Sequence, residues 1–96
     1  MMVLITYDVD TTHEDGARRL RRVAKACMNY GLRVQNSVFE CVLDEAHFVR
    51  LRSELNAIID KDNDSVRFYF LGNNWERRIE QLGLHENMNA ESTLII

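Results

Sequence analysis

The residues best equipped for chemistry lie in the first forty positions. Tyr7-Asp8-Val9-Asp10 closes the β-prone run Val3-Leu4-Ile5-Thr6. In a strand over 3–9, alternation puts Asp8 on the side of Leu4 and Thr6. Its carboxylate has two readings. It ends the strand and caps the turn, or its oxygens hold a hard cation such as Mg²⁺, which takes oxygen donors. One carboxylate is a poor Mg²⁺ site, but two copies of Asp8 facing each other across a two-fold axis, with waters, make a normal one. Such an ion polarises a phosphoryl oxygen and lowers the pKa of a bound water.

The second feature is an island of positive charge. Between Ala17 and Phe39 lie Arg18, Arg19, Arg21, Arg22, Lys25 and Arg33 with no acidic residue, although the chain has 15 acidic against 12 basic residues and a net charge of −3. Arg18, Arg22 and Lys25 share a helix face opposite the apolar stripe. Guanidinium groups suit bidentate phosphate contact. The face either tracks a nucleic-acid backbone or is simply solvated. The third feature is Arg33-Val34-Gln35-Asn36-Ser37-Val38-Phe39-Glu40, in which Ser37 and Phe39 fall on the strand face of Arg33 and Gln35. By type alone, Ser37 is a turn residue and Phe39 is core. No Gly-x-Ser-x-Gly elbow surrounds Ser37, which argues against a serine nucleophile. His13, His47 and His85 have no zinc spacing, and Asp60 to Asp64 lacks the glycine and glutamate of an EF-hand loop. Walker and dinucleotide signatures are missing from the sequence. Tyr69 and Trp75 either stack on a base or are buried.

These side chains need elements to hold them. After the first strand, Thr12 and Asp15 resemble a capping box. Leu20, Val23, Ala24, Cys27 and Met28 then form the buried stripe of a helix, with Gly31 as its stop. Residues 33–43 are extended, as two short strands turning near Gln35-Asn36-Ser37 or as one kinked strand. Asp44 caps a second helix, with Leu43 and Phe48 as a hydrophobic staple and Phe48, Leu51, Leu55, Ile58 and Ile59 as the buried stripe. Residues 65–71 form a strand ending at Gly72-Asn73-Asn74, followed by a short helical turn around 75–82. The β-prone tail Ser92-Thr93-Leu94-Ile95-Ile96 seeks a sheet edge, and the segment from about 75 to 96 is expected to pair with a partner subunit. The order β-α-β-β-α-β plus a C-terminal strand is that of a ferredoxin-like α+β sandwich, with both helices on one face of the sheet and a second subunit covering the other.

A chain of 96 residues makes a single domain. With 46% apolar and 28% charged residues, it is not a disordered polyelectrolyte. Its net charge excludes a generic polyanion binder, so any nucleic-acid role rests on a local surface or a metal. No apolar run approaches the ~18 residues of a membrane span, and the start lacks the basic region of a signal peptide. Cys27 and Cys41 read as buried free thiols of a cytoplasmic protein. Small domains bury only about 60–65% of their unfolded surface, so an oligomer is expected.

Taken in order, Val3 to Val9, the Arg-rich first helix and Arg33 to Glu40 resemble the CRISPR-associated protein 2 family over nearly the whole chain. Gly72-Asn73-Asn74 and the β-prone tail are most similar to its type I-C branch. The resemblance implies a ferredoxin-like homodimer with sheets packed face to face and C-terminal strands crossing to the partner's sheet. It implies work beside the CRISPR-associated integrase, protein 1, in spacer acquisition, with the dimer bridging duplex DNA. It also implies a metal-dependent endonuclease activity on RNA or DNA, with Asp8 as Mg²⁺ ligand. Tyr7, Arg18 or Arg19, Arg33, Ser37 and Phe39 match positions linked to substrate handling or site shape, and Arg22 joins them as a nucleic-acid-binding candidate on the cationic helix face. Three readings follow: a nuclease built on paired Asp8 residues, a structural adaptor for duplex DNA and integrase, and a regulatory dimer that binds a small ligand.

Overall fold

A computed structural model describes residues 1–83. The elements run β1 (Met2–Asp8), α1 (Gly16–Met28), β2 (Leu32–Gln35), β3 (Val38–Val42), α2 (Glu45–Ile58) and β4 (Ser65–Gly72), followed by a 3₁₀ turn at Trp75–Arg77. The result is a small α+β fold with one four-stranded sheet in the order β2-β3-β1-β4. Every neighbouring pair is antiparallel. The β-α-β-β-α-β succession expected from the sequence is present, and 33–43 resolves as two strands. The expected tail strand falls in 84–96, outside the described residues.

Alternation along β1 decides what each side of the sheet does. Val3, Ile5 and Tyr7 are buried with Phe39 and Cys41 of β3, against Val23, Ala24 and Cys27 of α1 and Leu51 and Leu55 of α2. Leu4, Thr6 and Asp8 point the other way. They line up with Val38, Glu40 and Val42 on β3 and with Ser65, Arg67 and Tyr69 on β4. No helix of the described residues covers this second face, and it exposes Leu32, Val42 and Tyr69 by 40%, 61% and 40%. The helix-side core extends to Phe48 of α2, whose ring packs edge-on against Phe68 and Phe70 with centroids 5.3 and 5.2 Å away.

Several local expectations change. Helix α1 begins at Gly16 behind Asp15, which sits in the left-handed region at φ 62 and makes no side-chain cap. The Thr12–Asp15 box does not form because the Thr12 hydroxyl and amide both turn to the Asp10 carboxylate. Met28 is 52% exposed, and Ala26 is buried in the stripe instead. Gly31 is not a left-handed stop, since positive φ among glycines occurs at Gly72 and Gly83. Its lack of a side chain answers a close approach: a Cβ there would collide with the Cys41 sulfur and the Glu40 carbonyl. The Asp44 cap forms as expected, its Oδ1 accepting from the His47 amide at 2.8 Å. The helical turn expected over 75–82 is confined to three residues.

Glu40 lies half-buried on the helix-free face, opposite Leu4 of β1 and Leu32 of β2. Burial among these neighbours pushes its carboxyl above the usual 4.5. A carboxyl whose pKa is raised by folding contributes stability fully below the unfolded pKa, and that contribution is lost as pH rises through the folded value. Glu40→Gln is therefore expected to stabilise the chain at neutral pH by less than about 1 kcal/mol, because a half-exposed group retains much of its solvation. The gain should vanish in acid, as thermal melts across the carboxylate range would show.

Candidate nucleic-acid and metal site

Asp8 is the last residue of β1. It is exposed on the helix-free face, across from Ser65. Among the described residues its carboxylate makes no side-chain hydrogen bond or ion pair. The next carboxylate along, Asp10, is fully engaged. Its Oδ1 accepts from the Thr12 amide at 2.9 Å, and its Oδ2 lies 2.6 Å from His13 Nδ1. Hydrogen bonds from Thr12, opposed by some burial and reinforced by His13, hold the Asp10 carboxyl below its ordinary value. Among the described residues Asp8 is thus the strand-end carboxylate with unengaged oxygens, and hard oxygen donors are what Mg²⁺ takes. No group of three or more His, Cys, Asp or Glu side chains gathers into a metal site among the described residues. The donor set fits Mg²⁺ in kind, and a second copy of Asp8 is needed to bring the number to two.

Tyr7 points to the opposite side. Its ring is buried and lies 6.2 Å from that of Phe39 at an interplanar angle of 24°, and its hydroxyl donates to the Asn36 carbonyl at 3.1 Å. The Arg33 guanidinium lies 5.1 Å from the centre of the Phe39 ring. Ser37 is a turn residue whose carbonyl accepts from the Tyr7 amide at 3.1 Å. Tyr7, Arg33, Ser37 and Phe39 are therefore brought together, as one packed unit behind β1 rather than beside the Asp8 carboxylate. Phe39 has no solvent exposure, so its ring is enclosed within the protomer. Gln35 leaves the expected face. A register shift between Arg33 and Gln35 sets Gln35 opposite Val38, while Arg33 pairs with Phe39.

The cationic island divides in the same way. Arg18, Arg21, Arg22 and Lys25 are exposed along α1, as the face argument requires. Arg19 is withdrawn from that face. Its Nε donates to Asp64 Oδ2 at 2.8 Å, with side chains 11% and 0% exposed. Its two terminal nitrogens donate to the Glu14 carbonyl at 2.7 Å and the Asp10 carbonyl at 3.3 Å. Burial alone would raise the Asp64 carboxyl. The Arg19 guanidinium and the amides of Asp60 and Asp10 outweigh it and hold the group below its usual range. Reading by type and spacing missed Asp64. The available signal was the cluster Asp60-Lys61-Asp62-Asn63-Asp64, whose last carboxylate directly precedes an apolar strand.

Comparison with known proteins agrees with this architecture. The family profile described as CRISPR associated protein Cas2 matches residues 1–79. The chain is 56% identical over 96 residues to a CRISPR-associated endoribonuclease Cas2 of Chlorobaculum tepidum, covering all of both proteins. It is 52% identical to a CRISPR-associated endonuclease Cas2 of Halalkalibacterium halodurans, covering 99% of each. The crystal structure of Streptococcus pyogenes Cas2 superposes with a TM-score of 0.76 at 59% identity, covering 86% of this chain and 100% of that one. With a profile spanning most of its length and relatives matched end to end, this chain belongs to the Cas2 family of CRISPR-associated proteins.

Proposed function

We propose that the chain works in the cytoplasm as a homodimeric nucleic-acid-binding adaptor of CRISPR spacer acquisition, with the capacity for Mg²⁺-dependent phosphodiester hydrolysis. The observation that carries the catalytic half is the Asp8 carboxylate, exposed at a strand end and unengaged among the described residues. The names of the relatives, endoribonuclease and endonuclease, support the reaction class. The apolar residues exposed on the same face, Leu32, Val42 and Tyr69, favour a second copy as its cover, since an antiparallel sheet gains by burying such a face. Stacking two sheets in that way puts both Asp8 residues on the covered face, and the reading requires a two-fold axis passing close to the end of β1. The Gly72-Asn73-Asn74 ending and the β-prone tail Ser92 to Ile96 support the type I-C branch within this reading.

In this reading each part of the chain has a distinct task. The two Asp8 carboxylates would supply the protein oxygens that hold the ion. When bound, Mg²⁺ supplies Lewis-acid charge that stabilises charge developing on a phosphodiester. Arg18, Arg22 and Lys25 hold the backbone of duplex DNA or RNA by charge, without reading sequence. The Tyr7–Phe39–Arg33 unit fixes the strand that carries Asp8. The adaptor role joins the dimer to the CRISPR-associated integrase and needs the cationic face but not the metal.

Two measurements test the reading. A cleavage assay on RNA and on duplex DNA, with and without Mg²⁺, addresses the chemistry. A salt titration of duplex binding addresses the cationic face. Each phosphate contact contributes about 0.9 to the slope of log affinity against log salt. Replacing Arg18 and Arg22 together by Gln is expected to lower that slope by roughly 1.8 and to weaken binding for all sequences alike. A slope and affinity equal to those of the parent chain would remove the nucleic-acid assignment of α1.

A further inference from the structure

Asp64 and Arg19 lie 45 positions apart in the sequence and meet at the end of the strand that carries Asp8. The Asp64 side chain is fully buried. Its Oδ1 accepts from the Asp10 amide at 3.0 Å and from Arg19 Nη2 at 3.4 Å. Its Oδ2 accepts from Arg19 Nε at 2.8 Å and from the Asp60 amide at 2.9 Å. Arg19 Nη2 also reaches the Asp10 carbonyl, and Nη1 the Glu14 carbonyl. The backbone of Asp10 is thereby gripped at both polar groups, its N–H by the carboxylate and its C=O by the guanidinium. Asp10 follows Asp8 by two positions, and Asp64 precedes Ser65, the residue paired with Asp8 across the sheet. The clamp thus fixes both strands beside the Asp8 carboxylate.

A second observation points the same way. A Cβ at Gly16 would collide with the Asp10 carbonyl and come within 2.6 Å of Thr11 Cα. The start of α1 therefore presses directly on the segment that the clamp holds. An arginine in this position has little left for a phosphate. Its planar fork is spent on one buried carboxylate and two carbonyls, and moving it outward would strand a buried charge.

We propose that Arg19 and Asp64 form a positioning clamp that fixes the Asp8 strand end, and that Arg19, unlike Arg18 and Arg22 on the same helix, takes no part in holding nucleic acid. The functional consequence rests on the reading of Asp8 as a metal ligand, whereas the clamp does not. Disturbing it should loosen the segment after Asp8, weaken metal binding and leave the electrostatic grip on the duplex unchanged.

The test uses the full chain with Arg19→Gln, Asp64→Asn and, as a reference, Arg22→Gln. Three quantities are read: amide hydrogen exchange at Asp10, the salt slope of duplex DNA binding, and Mn²⁺ binding by electron paramagnetic resonance. Arg19→Gln and Asp64→Asn are expected to speed exchange at Asp10 by about tenfold or more and to raise the half-saturating Mn²⁺ concentration severalfold. Both should leave the slope unaltered. Arg22→Gln is expected to lower the slope by about 0.9 and to leave Asp10 exchange alone. Arg19→Lys keeps the charge but loses the fork, so it should speed exchange as Arg19→Gln does and stands in for it if that variant does not fold. A slope reduced by about one in Arg19→Gln overturns the proposal, as does an Asp10 amide that exchanges no faster in either clamp variant. Failure of the parent chain to bind Mn²⁺ would instead remove the Asp8 reading, and exchange and slope would then decide the clamp by themselves.

Discussion

Asp8→Asn is expected to lower Mg²⁺-dependent cleavage of RNA and of duplex DNA at least about a hundredfold, because a bound metal supplies several kcal/mol of transition-state stabilisation. The melting temperature and the affinity for duplex should stay close to those of the parent chain. The reason is the contrast at the end of β1. Asp8 is exposed and its carboxylate bonds to nothing in the described residues, so an isosteric amide breaks no structural contact. Its neighbour Tyr7 is buried and hydrogen-bonded to Asn36. Loss of activity with the fold and dimer intact would mark Asp8 as a group of the reaction. Cleavage that survives in a preparation free of contaminating nuclease would reject the enzyme and leave the adaptor. Spacer acquisition that continues in Asp8→Asn would separate the two roles, since the proposed adaptor relies on the cationic face and not on a metal.

The second large effect is on stability. Phe39 is without solvent exposure and lies between the Tyr7 ring and the Arg33 guanidinium. Phe39→Ala removes the middle of that stack and is expected to cost about 3–5 kcal/mol. Domains have only about 5–15 kcal/mol in total. At about 4–8 °C per kcal/mol for a chain of this size, the melting temperature should fall by roughly 20 °C. Phe39→Leu keeps much of the volume and should fold at ordinary temperatures. Its duplex affinity should then match that of the parent chain, because position 39 is enclosed in the core. A Phe39→Leu protein that folds well yet binds duplex poorly would show that the ring contributes to recognition directly. The distinction matters because an exposed aromatic ring can stack on a base, whereas the Phe39 ring is buried.

The parts of this molecule legible in its sequence are those set by short-range periodicity. The β-branched run of β1 directs Leu4, Thr6 and Asp8 to one side and Val3, Ile5 and Tyr7 to the other. The spacing of Val23, Ala24 and Cys27 identifies the inner side of α1, and Asp44 marks where α2 begins. What could not be read depends on groups meeting across the fold or on local competition. Arg19 looks like its neighbours in the cationic run, and only the turn before β4, brought close by the sheet, reveals its carboxylate partner. Thr12 has the type and spacing of a cap, but Asp10 two positions earlier outcompetes the helix start for its hydrogen bonds. The register shift at Val34 reverses the side that Gln35 faces, and strict alternation has no means of announcing an extra residue. The candidate set, Asp64 apart, was picked out by residue type and spacing. Its division into an exposed carboxylate, a packed aromatic unit and a salt-bridged arginine was not.

The seclusion of the cysteines bears on how copies of the chain associate. Cys27 and Cys41 have no exposed surface. Burial pushes both thiols up to about 12, slightly relieved at Cys27 by Arg33 and reinforced at Cys41 by Cys27 and Glu40. At neutral pH neither presents a thiolate to an oxidant or an alkylating reagent. Self-association of the native chain through these sulfurs would thus first require the core to open. A reagent that modifies them therefore acts as a stopwatch for that opening, and a noncovalent complex should come apart in denaturant without a reducing agent.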